Sequence, residues 1–184
     1  GATGGIGKHI VSNLNDNGWT IVARARDENS LNELSNDKDI FTMPVDARNE
    51  VEMQETAKAI KQQHQKIDAV ILAVGSIFLR PTHATTSEQF METINQNLLT
   101  AHNTISSTAR IMMKDKGGRI ILFSSAAATV GMPNHGAIAA AKSGLEGLAR
   151  AAAATYAKRG IRINVVSPGL TDTPLSANLL ASDA

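Results

Sequence analysis

Apolar segments of strand length alternate with longer helical segments along most of this chain. The clearest strand pattern is the almost continuous apolar run of residues 67–74, which is typical of a parallel strand covered on both faces. This alternation predicts a parallel sheet with helices on both faces, and 184 residues suit one domain. We therefore expect a single doubly wound α/β domain over residues 1–184. The predicted strands are residues 19–23, 40–45, 67–74, 119–123 and 162–166, and the predicted helices are residues 5–15, 31–34, 49–64, 86–116, 137–159 and 175–180.

Two of these helices carry further local signals. Thr86-Ser87-Glu88-Gln89 is a capping box, the side-chain pattern that opens many helices. The helix of residues 49–64 places Val51, Ala57 and Ile60 on one face, which we expect to be buried.

The chain begins with a glycine-rich stretch, Gly1-Ala2-Thr3-Gly4-Gly5-Ile6-Gly7, and an amphipathic helical pattern follows at once. Such a turn can hold a phosphate group, because backbone N–H groups and the positive end of the helix dipole face the anion. The stretch is not a Walker loop, since His9 stands where Ser or Thr is required. A loop of this kind follows a strand, so we expect a further strand ahead of residue 1.

Composition excludes several classes of protein. The net charge of +1 gives no reason to expect a nucleic-acid or membrane partner. There is no cysteine, so disulfides and zinc sites with cysteine ligands are excluded, and no metal site is predicted. No apolar run reaches the roughly 18 residues of a membrane span, and no signal peptide is visible, so we expect a cytoplasmic protein.

Residues suited to a binding site follow the predicted strands. In open parallel sheets the ligand lies beyond the carboxyl ends of the strands. At those ends the chain carries Arg26, Asp46, Gly75, Ser125 and the pair Pro168-Gly169.

With these residues the chain resembles the short-chain dehydrogenase/reductase family over nearly its whole length. The glycine stretch is similar to the family's T-G-x-x-x-G-x-G loop, and the segment around Ser125 is similar to its catalytic Ser segment. Pro168-Gly169, with Thr171 and Thr173, is similar to its P-G-x-x-x-T nicotinamide loop. The resemblance implies a Rossmann-type fold, here without its first strand and C-terminal end. It also implies hydride transfer between a nicotinamide cofactor and a small-molecule carbonyl or alcohol; the substrate itself is not indicated.

The resemblance further implies roles for single residues. Asp46 matches the acid set against adenine, and Gly75 matches the last glycine of N-N-A-G, where this chain has Leu72-Ala73-Val74-Gly75. Asn97 matches the helical Asn that supports the active-site water relay. Lys142 matches the Lys of Tyr-x-x-x-Lys, which also binds the nicotinamide ribose. The implied cofactor residues are Gly1, Thr3, Gly5, Ile6, Gly7, Arg26, Asp46, Ala73, Gly75, Lys142, Pro168, Gly169, Thr171 and Thr173.

The chain departs from the family at the catalytic tyrosine. Ile138 stands at that position, 13 residues after Ser125 and four before Lys142. The one tyrosine, Tyr156, lies 14 residues beyond Lys142 and cannot share a site with it on a straight helix. In the family the Tyr moves a proton on the carbonyl oxygen, helped by the neighbouring Lys, and isoleucine cannot do so.

Three interpretations follow from Ile138. His135 could be a substitute acid, because histidine readily exchanges a proton near neutral pH. The protein could be a slow enzyme that uses water relayed through Lys142 and Ser125. It could also be an NADP(H)-binding protein with little or no catalytic turnover.

Arg26 predicts a preference for NADP(H) over NAD(H). NAD-preferring members of the family carry an acid at the end of the second strand, where this chain has Ala25. Arg26 could pair with a 2′-phosphate, as could Thr3. Arg24 is expected at the surface, pointing away from this site.

The helix of residues 137–159 presents a flat row of small and apolar residues. Family members use this face to form dimers and tetramers, so the resemblance implies a homodimer or homotetramer; the alternative is packing on the sheet. The row consists of Ala141, Gly144, Leu145, Leu148 and Ala152.

Overall fold

The computed structural model describes residues 1–35 and 39–180, and all of the strands in these ranges run parallel. The last four residues of the predicted domain lie outside them. The strands are β1 (Ile21–Ala25), β2 (Ile40–Pro44), β3 (Ala69–Leu72), β4 (Gly118–Phe123) and β5 (Ile161–Val166). The helices are α1 (Gly5–Asp16), α2 (Glu28–Asn32), α3 (Glu50–His64), α4 (Ser87–Ile94), α5 (Thr100–Met112), α6 (Gly136–Tyr156) and α7 (Ala177–Leu180).

The described strands form two sheets rather than the single sheet expected. β1 pairs with β2, with Ile21 opposite Ile40, and β4 lies between β3 and β5. A cavity of about 960 Å³ is lined by both β1 and β3, and by Gly1 and Ala2 at the start of the glycine stretch. The strand expected ahead of residue 1 stays a prediction.

Helix starts follow the local signals in the sequence. The capping box of α4 is present, with the Thr86 hydroxyl accepting from the Gln89 amide and the Gln89 side chain accepting from the Thr86 amide. α3 begins after Asn49, whose side chain accepts from the amides of Val51 and Glu52. Such caps satisfy N–H groups that have no partner inside the helix, typically contributing about 1 kcal/mol.

Three predictions about helices differ from the structure, and the first is α2, which spans Glu28–Asn32 rather than residues 31–34. The predicted helix of residues 86–116 is interrupted by a π-helical turn at Asn95–Leu99 and ends at Met112. In α3 the buried residues are Met53 and Ala57, whereas Val51 is 62% exposed. Val51 lies about 200° around the helix from Met53, so it cannot share the buried face.

The core lies between β3–β5 and the helices α5 and α6. Ile120 and Leu122 of β4 are fully buried, as is Met112 of α5. Burial of such a side chain stabilises a fold by about 1.5–3 kcal/mol relative to exposure. Because α5 and α6 are held on this sheet, the residues at their ends have fixed positions beside the carboxyl ends of the strands.

The α6 face predicted for self-association packs inside the chain. Ala141, Leu145 and Ala152 are 0%, 1% and 7% exposed. Gly144 lies so close to Leu98 that an added Cβ would come within 2.9 Å of a leucine methyl carbon. The alternative of packing within the chain is therefore correct for this row.

Candidate active site

The glycine stretch folds into a turn closed on its own backbone. The Gly4 amide donates to the Gly1 carbonyl at 3.2 Å, and the Lys8 amide donates to the Gly4 carbonyl at 2.8 Å in the first turn of α1. A Cβ at Gly7 would lie 2.0 Å from the Gly1 oxygen, and one at Gly1 would lie 2.5 Å from the carbonyl carbon of Ala73. Only glycine fits at these two positions. The turn therefore brings the N-terminus of α1 against the chain that leaves β3.

Beyond β1, Arg26 is exposed and makes no hydrogen bond or ion pair within residues 1–35 and 39–180. Arg24 was expected at the surface, but the structure shows it partly buried. Its Nη2 donates to Sδ of Met53 at 3.1 Å and to the hydroxyl of Thr56, and burial lowers the pKa of its guanidinium to about 10. Side chains two residues apart along a strand, such as those at positions 24 and 26, point to the same side of the sheet. At Arg24 that side of β1 is covered by α3.

After β2, Asp46 accepts hydrogen bonds from Arg48, a residue that the sequence analysis missed. Arg48 donates to Oδ1 through its amide at 2.9 Å and to Oδ2 through Nη2 at 2.7 Å. These hydrogen bonds hold the pKa of Asp46 below its usual range, with a smaller contribution from the charge of Arg26. Arg48 also pairs with Glu92 of α4 at 3.1 Å. The spacing Asp-x-Arg was the available signal for this pair.

A buried asparagine of α5, also missed, fixes the same turn. Asn103 is 2% exposed. Its side-chain amide donates to the carbonyls of Ala47 and Arg48 at 3.0 Å each. The turn that carries Asp46 is thereby tied to α5. No local pattern pointed to a contact over this sequence distance.

Gly75, Asn97 and Lys142 meet beyond the end of β3. A Cβ at Gly75 would lie 3.1 Å from Oδ1 of Asn97 and 3.3 Å from Nζ of Lys142. Asn97 is fully buried in the π-helical turn, where its Nδ2 donates to the Ser76 hydroxyl at 3.0 Å and the Thr93 carbonyl at 2.9 Å. π-helical turns occur frequently at functional sites.

Lys142 is a buried amine without a carboxylate partner in the described part of the chain. Its Nζ donates to the carbonyl oxygen of Phe123 at 2.7 Å. Burial lowers the pKa of Lys142 to about 8. The amine can therefore be charged or neutral near physiological pH.

Two further predicted site residues are Ser125, just after β4, and Ile138, in α6. Ser125 follows β4, and its Oγ accepts from the Ala127 amide at 3.2 Å, which leaves its O–H free to donate. Ile138 is 4% exposed and lies one turn before Lys142 on α6. Tyr156 is the last residue of α6, lies about 21 Å beyond Lys142 along the helix axis and packs against the core. No tyrosine therefore reaches Ser125 or Lys142 within the described residues.

His135 is the N-cap residue of α6. Its Nδ1 lies 2.6 Å from the carbonyl oxygen of Pro133. A carbonyl oxygen can only accept, so Nδ1 carries the hydrogen and Nε2 is left to exchange a proton. The ring orientation is thus fixed by the backbone next to it.

The loop after β5 contacts both the Ser125 segment and the glycine stretch. The Pro168 carbonyl accepts from the Ala126 amide at 2.9 Å. The Thr173 side chain lies close to Gly5, because a Cβ added at Gly5 would come within 2.8 Å of it. Ser176, which the sequence analysis missed, is 3% exposed; its hydroxyl donates to the Thr171 carbonyl and accepts from the Thr173 amide at 3.1 Å.

The structure thus brings predicted site residues that follow β3, β4 and β5 together with the glycine turn. Among residues 1–35 and 39–180 no group of three acidic or histidine side chains could hold a metal ion. In the same ranges no helix is both long enough and apolar enough to cross a membrane.

Comparison with known proteins identifies the family. The family model described as Enoyl-(Acyl carrier protein) reductase matches residues 1–184. The chain is 30% identical over 185 residues to the uncharacterized short-chain type dehydrogenase/reductase y4vI of Sinorhizobium fredii, covering 97% of this chain and 33% of that protein. It is 28% identical over 184 residues to the 3-oxoacyl-(acyl-carrier-protein) reductase FabG of Escherichia coli, covering 97% of this chain and 74% of that protein.

A solved structure agrees. The short-chain type dehydrogenase/reductase from Mycobacterium ulcerans superposes with a TM-score of 0.91 at 27% identity, over 100% of this chain and 72% of that one. The Rossmann-type α/β fold implied by the resemblance is confirmed. Since the family model matches the chain throughout, the chain belongs to the short-chain dehydrogenase/reductase family.

Proposed function

We propose that this protein is an NADP(H)-dependent oxidoreductase that reduces a small-molecule carbonyl, or oxidises the alcohol, at a low rate. The observation that carries the proposal is the meeting of Gly75, Asn97 and Lys142 beside the Ser125 segment. The tight glycine turn leads directly into the N-terminus of α1, where backbone N–H groups and the helix dipole favour the pyrophosphate of a dinucleotide. When bound, the nicotinamide would supply or accept the hydride.

Each part of the cofactor has residues to hold it. The glycine stretch, with Thr3 and Ile6, would bind the pyrophosphate at the N-terminus of α1. Asp46 would face the adenine and Arg26 the 2′-phosphate. Lys142 would donate to the nicotinamide ribose, with Ala73 and Gly75 beside it. The loop of Pro168, Gly169, Thr171 and Thr173 would cover the nicotinamide.

Ser125 would hold the substrate oxygen, since its O–H is free to donate. The remaining requirement is a proton for that oxygen. A positioned acid is typically worth about 10²–10⁴ in rate, and Ile138 offers none. Water relayed through Lys142 and Ser125 would then supply the proton slowly.

The proposal is tested by measuring NADPH affinity and NADPH oxidation on a panel of small ketones and aldehydes. Firm binding with slow oxidation supports it. Absence of NADPH binding would overturn it. Firm binding with no turnover on any substrate, even after Ile138→Tyr, would favour the alternative of a cofactor-binding protein without catalysis.

A second candidate gives His135 the acid role. It is favoured by the hydrogen bond from Nδ1 to Pro133, which leaves Nε2 to exchange a proton. On this account the wild type is fast and His135→Ala removes most of the rate. Retention of the rate in His135→Ala would exclude it. His83, exposed in the short 3₁₀ helix Thr82–Ala84, offers the control His83→Ala.

Self-association as a homodimer or homotetramer also stays a proposal. The α6 row is buried inside the chain, but Phe90 and Met91 of α4 are 38% and 51% exposed. Neighbouring exposed apolar side chains favour a contact surface. Light scattering at micromolar concentration tests it, and a monomer there would contradict it. A cytoplasmic location stays a prediction.

A further inference from the structure

A carboxylate outside the residues assigned above joins three elements at the candidate site. Glu146 lies one turn after Lys142 on α6, and its side chain is 16% exposed. Its Oε1 accepts from the hydroxyl of Ser124 at 2.7 Å and from the hydroxyl of Ser167 at 3.2 Å. Its Oε2 faces the exposed Arg150 at 3.8 Å.

The two serines stand directly before the two functional segments. Ser124 precedes Ser125 at the end of β4, and Ser167 precedes Pro168 at the end of β5. The backbone carries the pairing past the strand ends, because the Ser124 amide donates to the Val166 carbonyl at 2.8 Å. The Glu146 carboxylate adds side-chain hydrogen bonds that attach both ends to α6.

The described bonding partners of Glu146 do not include the residues proposed to hold the adenosine side of the cofactor. That side is built from Arg26 after β1 and Asp46 after β2, which belong to the other sheet. Among the described residues, the side chain of Glu146 bonds to Ser124 just after β4, to Ser167 just after β5 and to Arg150 of α6. A change at Glu146 should therefore be felt at the Ser125 and Pro168 segments and not at Arg26 or Asp46.

We propose that Glu146 is a positioning residue that holds the loop following Ser167 against Ser125 and so acts on the nicotinamide end of the cofactor only. This inference rests on the proposed function. A single oxygen receives both hydroxyls, so an acceptor is required at that atom and a negative charge is not. Glutamine can supply the acceptor, whereas alanine cannot.

The test compares two ligands in wild type, Glu146→Ala, Glu146→Gln and Ser167→Ala. The ligands are NADPH and 2′,5′-ADP, which has the adenosine and the 2′-phosphate but no nicotinamide; both dissociation constants come from isothermal titration calorimetry. Glu146→Ala should weaken NADPH binding about tenfold, the size expected for lost hydrogen bonds to a charged group, and change 2′,5′-ADP binding by less than about twofold. Ser167→Ala should shift NADPH binding in the same direction, and Glu146→Gln should match the wild type.

Arg150→Ala is the matched control, because it removes only the exposed partner of Oε2 and should leave both constants unchanged. Thermal melting checks that each variant folds. If Glu146→Ala does not fold, Ser167→Ala takes its place in the comparison. Equal weakening of both ligands, no weakening of either, or failure of Glu146→Gln to restore NADPH binding would each overturn the inference. A wild type that does not bind NADPH overturns the proposed function instead.

Discussion

Nζ of Lys142 donates a 2.7 Å hydrogen bond to the carbonyl oxygen of Phe123, which ties the middle of the site to the last residue of β4. Ser125 follows two residues later. The amine thus has a fixed position relative to Ser125 although no carboxylate among the described residues neutralises it. Its burial without a counter-ion has a measurable consequence for stability.

Replacing Lys142 should change the free energy of unfolding by an amount that depends on pH. Burial lowers its pKa from 10.5 to about 8, so the unfolded chain binds more protons between these values and the contribution of this group to stability rises with pH across that window. The unfolding free energy of Lys142→Met relative to wild type should fall by about 3 kcal/mol between about pH 7 and about pH 11. Chemical denaturation measures this. A difference that does not change with pH would contradict the prediction, and exposed Lys114→Met is the control.

Removing Arg26 should remove most of the discrimination between NADPH and NADH. A desolvated Arg–phosphate pair contributes about 1.5–3 kcal/mol, so Arg26→Ala should weaken NADPH about ten- to a hundredfold and leave NADH unchanged. Fluorescence titration provides both dissociation constants. Arg162→Ala, exposed on β5, should change neither. Equal wild-type affinities for NADPH and NADH would defeat the prediction.

Arg48→Ala should raise the pKa of Asp46 toward its usual range, because the hydrogen bonds from Arg48 are the largest cause of the lowering. Carbon-detected NMR titration of the Asp46 carboxyl measures it. Arg80→Ala, at an exposed residue that bonds Gln89 instead, is the control. An unshifted titration in Arg48→Ala would show that the pair is not formed in solution.

Enlarging Ala141 should destabilise the chain itself. Ala141 is fully buried, and overpacking of such a site typically costs about 1–3 kcal/mol. Ala141→Leu should therefore lower the unfolding free energy at any protein concentration, whereas Ala140→Leu, at an exposed neighbour, should not. Unaltered stability with altered self-association would mean that this row is a docking face after all.

Local patterns in the sequence predicted local structure. The capping box at Thr86 and Gln89, the strand runs and the glycine turn need only near neighbours, and each is present. Contacts between distant segments carried no such signal. Asn103 bonds carbonyls 55 and 56 residues away, and the burial of Arg24 depends on where α3 lies.

The same limit applies at the candidate site. The resemblance to the family implied the roles of Ser125, Ile138 and Lys142. That Ile138 lies one turn before Lys142 could be predicted because a helix fixes the separation of positions four apart. Glu146 and Ser176 were missed, since their importance depends on which strand ends their side chains reach.

In the function proposed above, Ile138 leaves the site without the hydroxyl that a tyrosine at this position would supply. Ile138→Tyr and Ile138→Phe introduce rings of nearly equal size, and only the first carries an O–H. Ile138 is 4% exposed, so any cost of fitting the ring is shared by both variants. Circular dichroism and melting verify that both fold.

The most direct measurement is the ratio of kcat for Ile138→Tyr to kcat for Ile138→Phe, with NADPH and a small ketone or aldehyde at saturation. The account predicts a ratio of about 10² or more, with the wild type close to Ile138→Phe. A ratio near one, or a wild type already as fast as Ile138→Tyr that remains fast after His135→Ala, would contradict it.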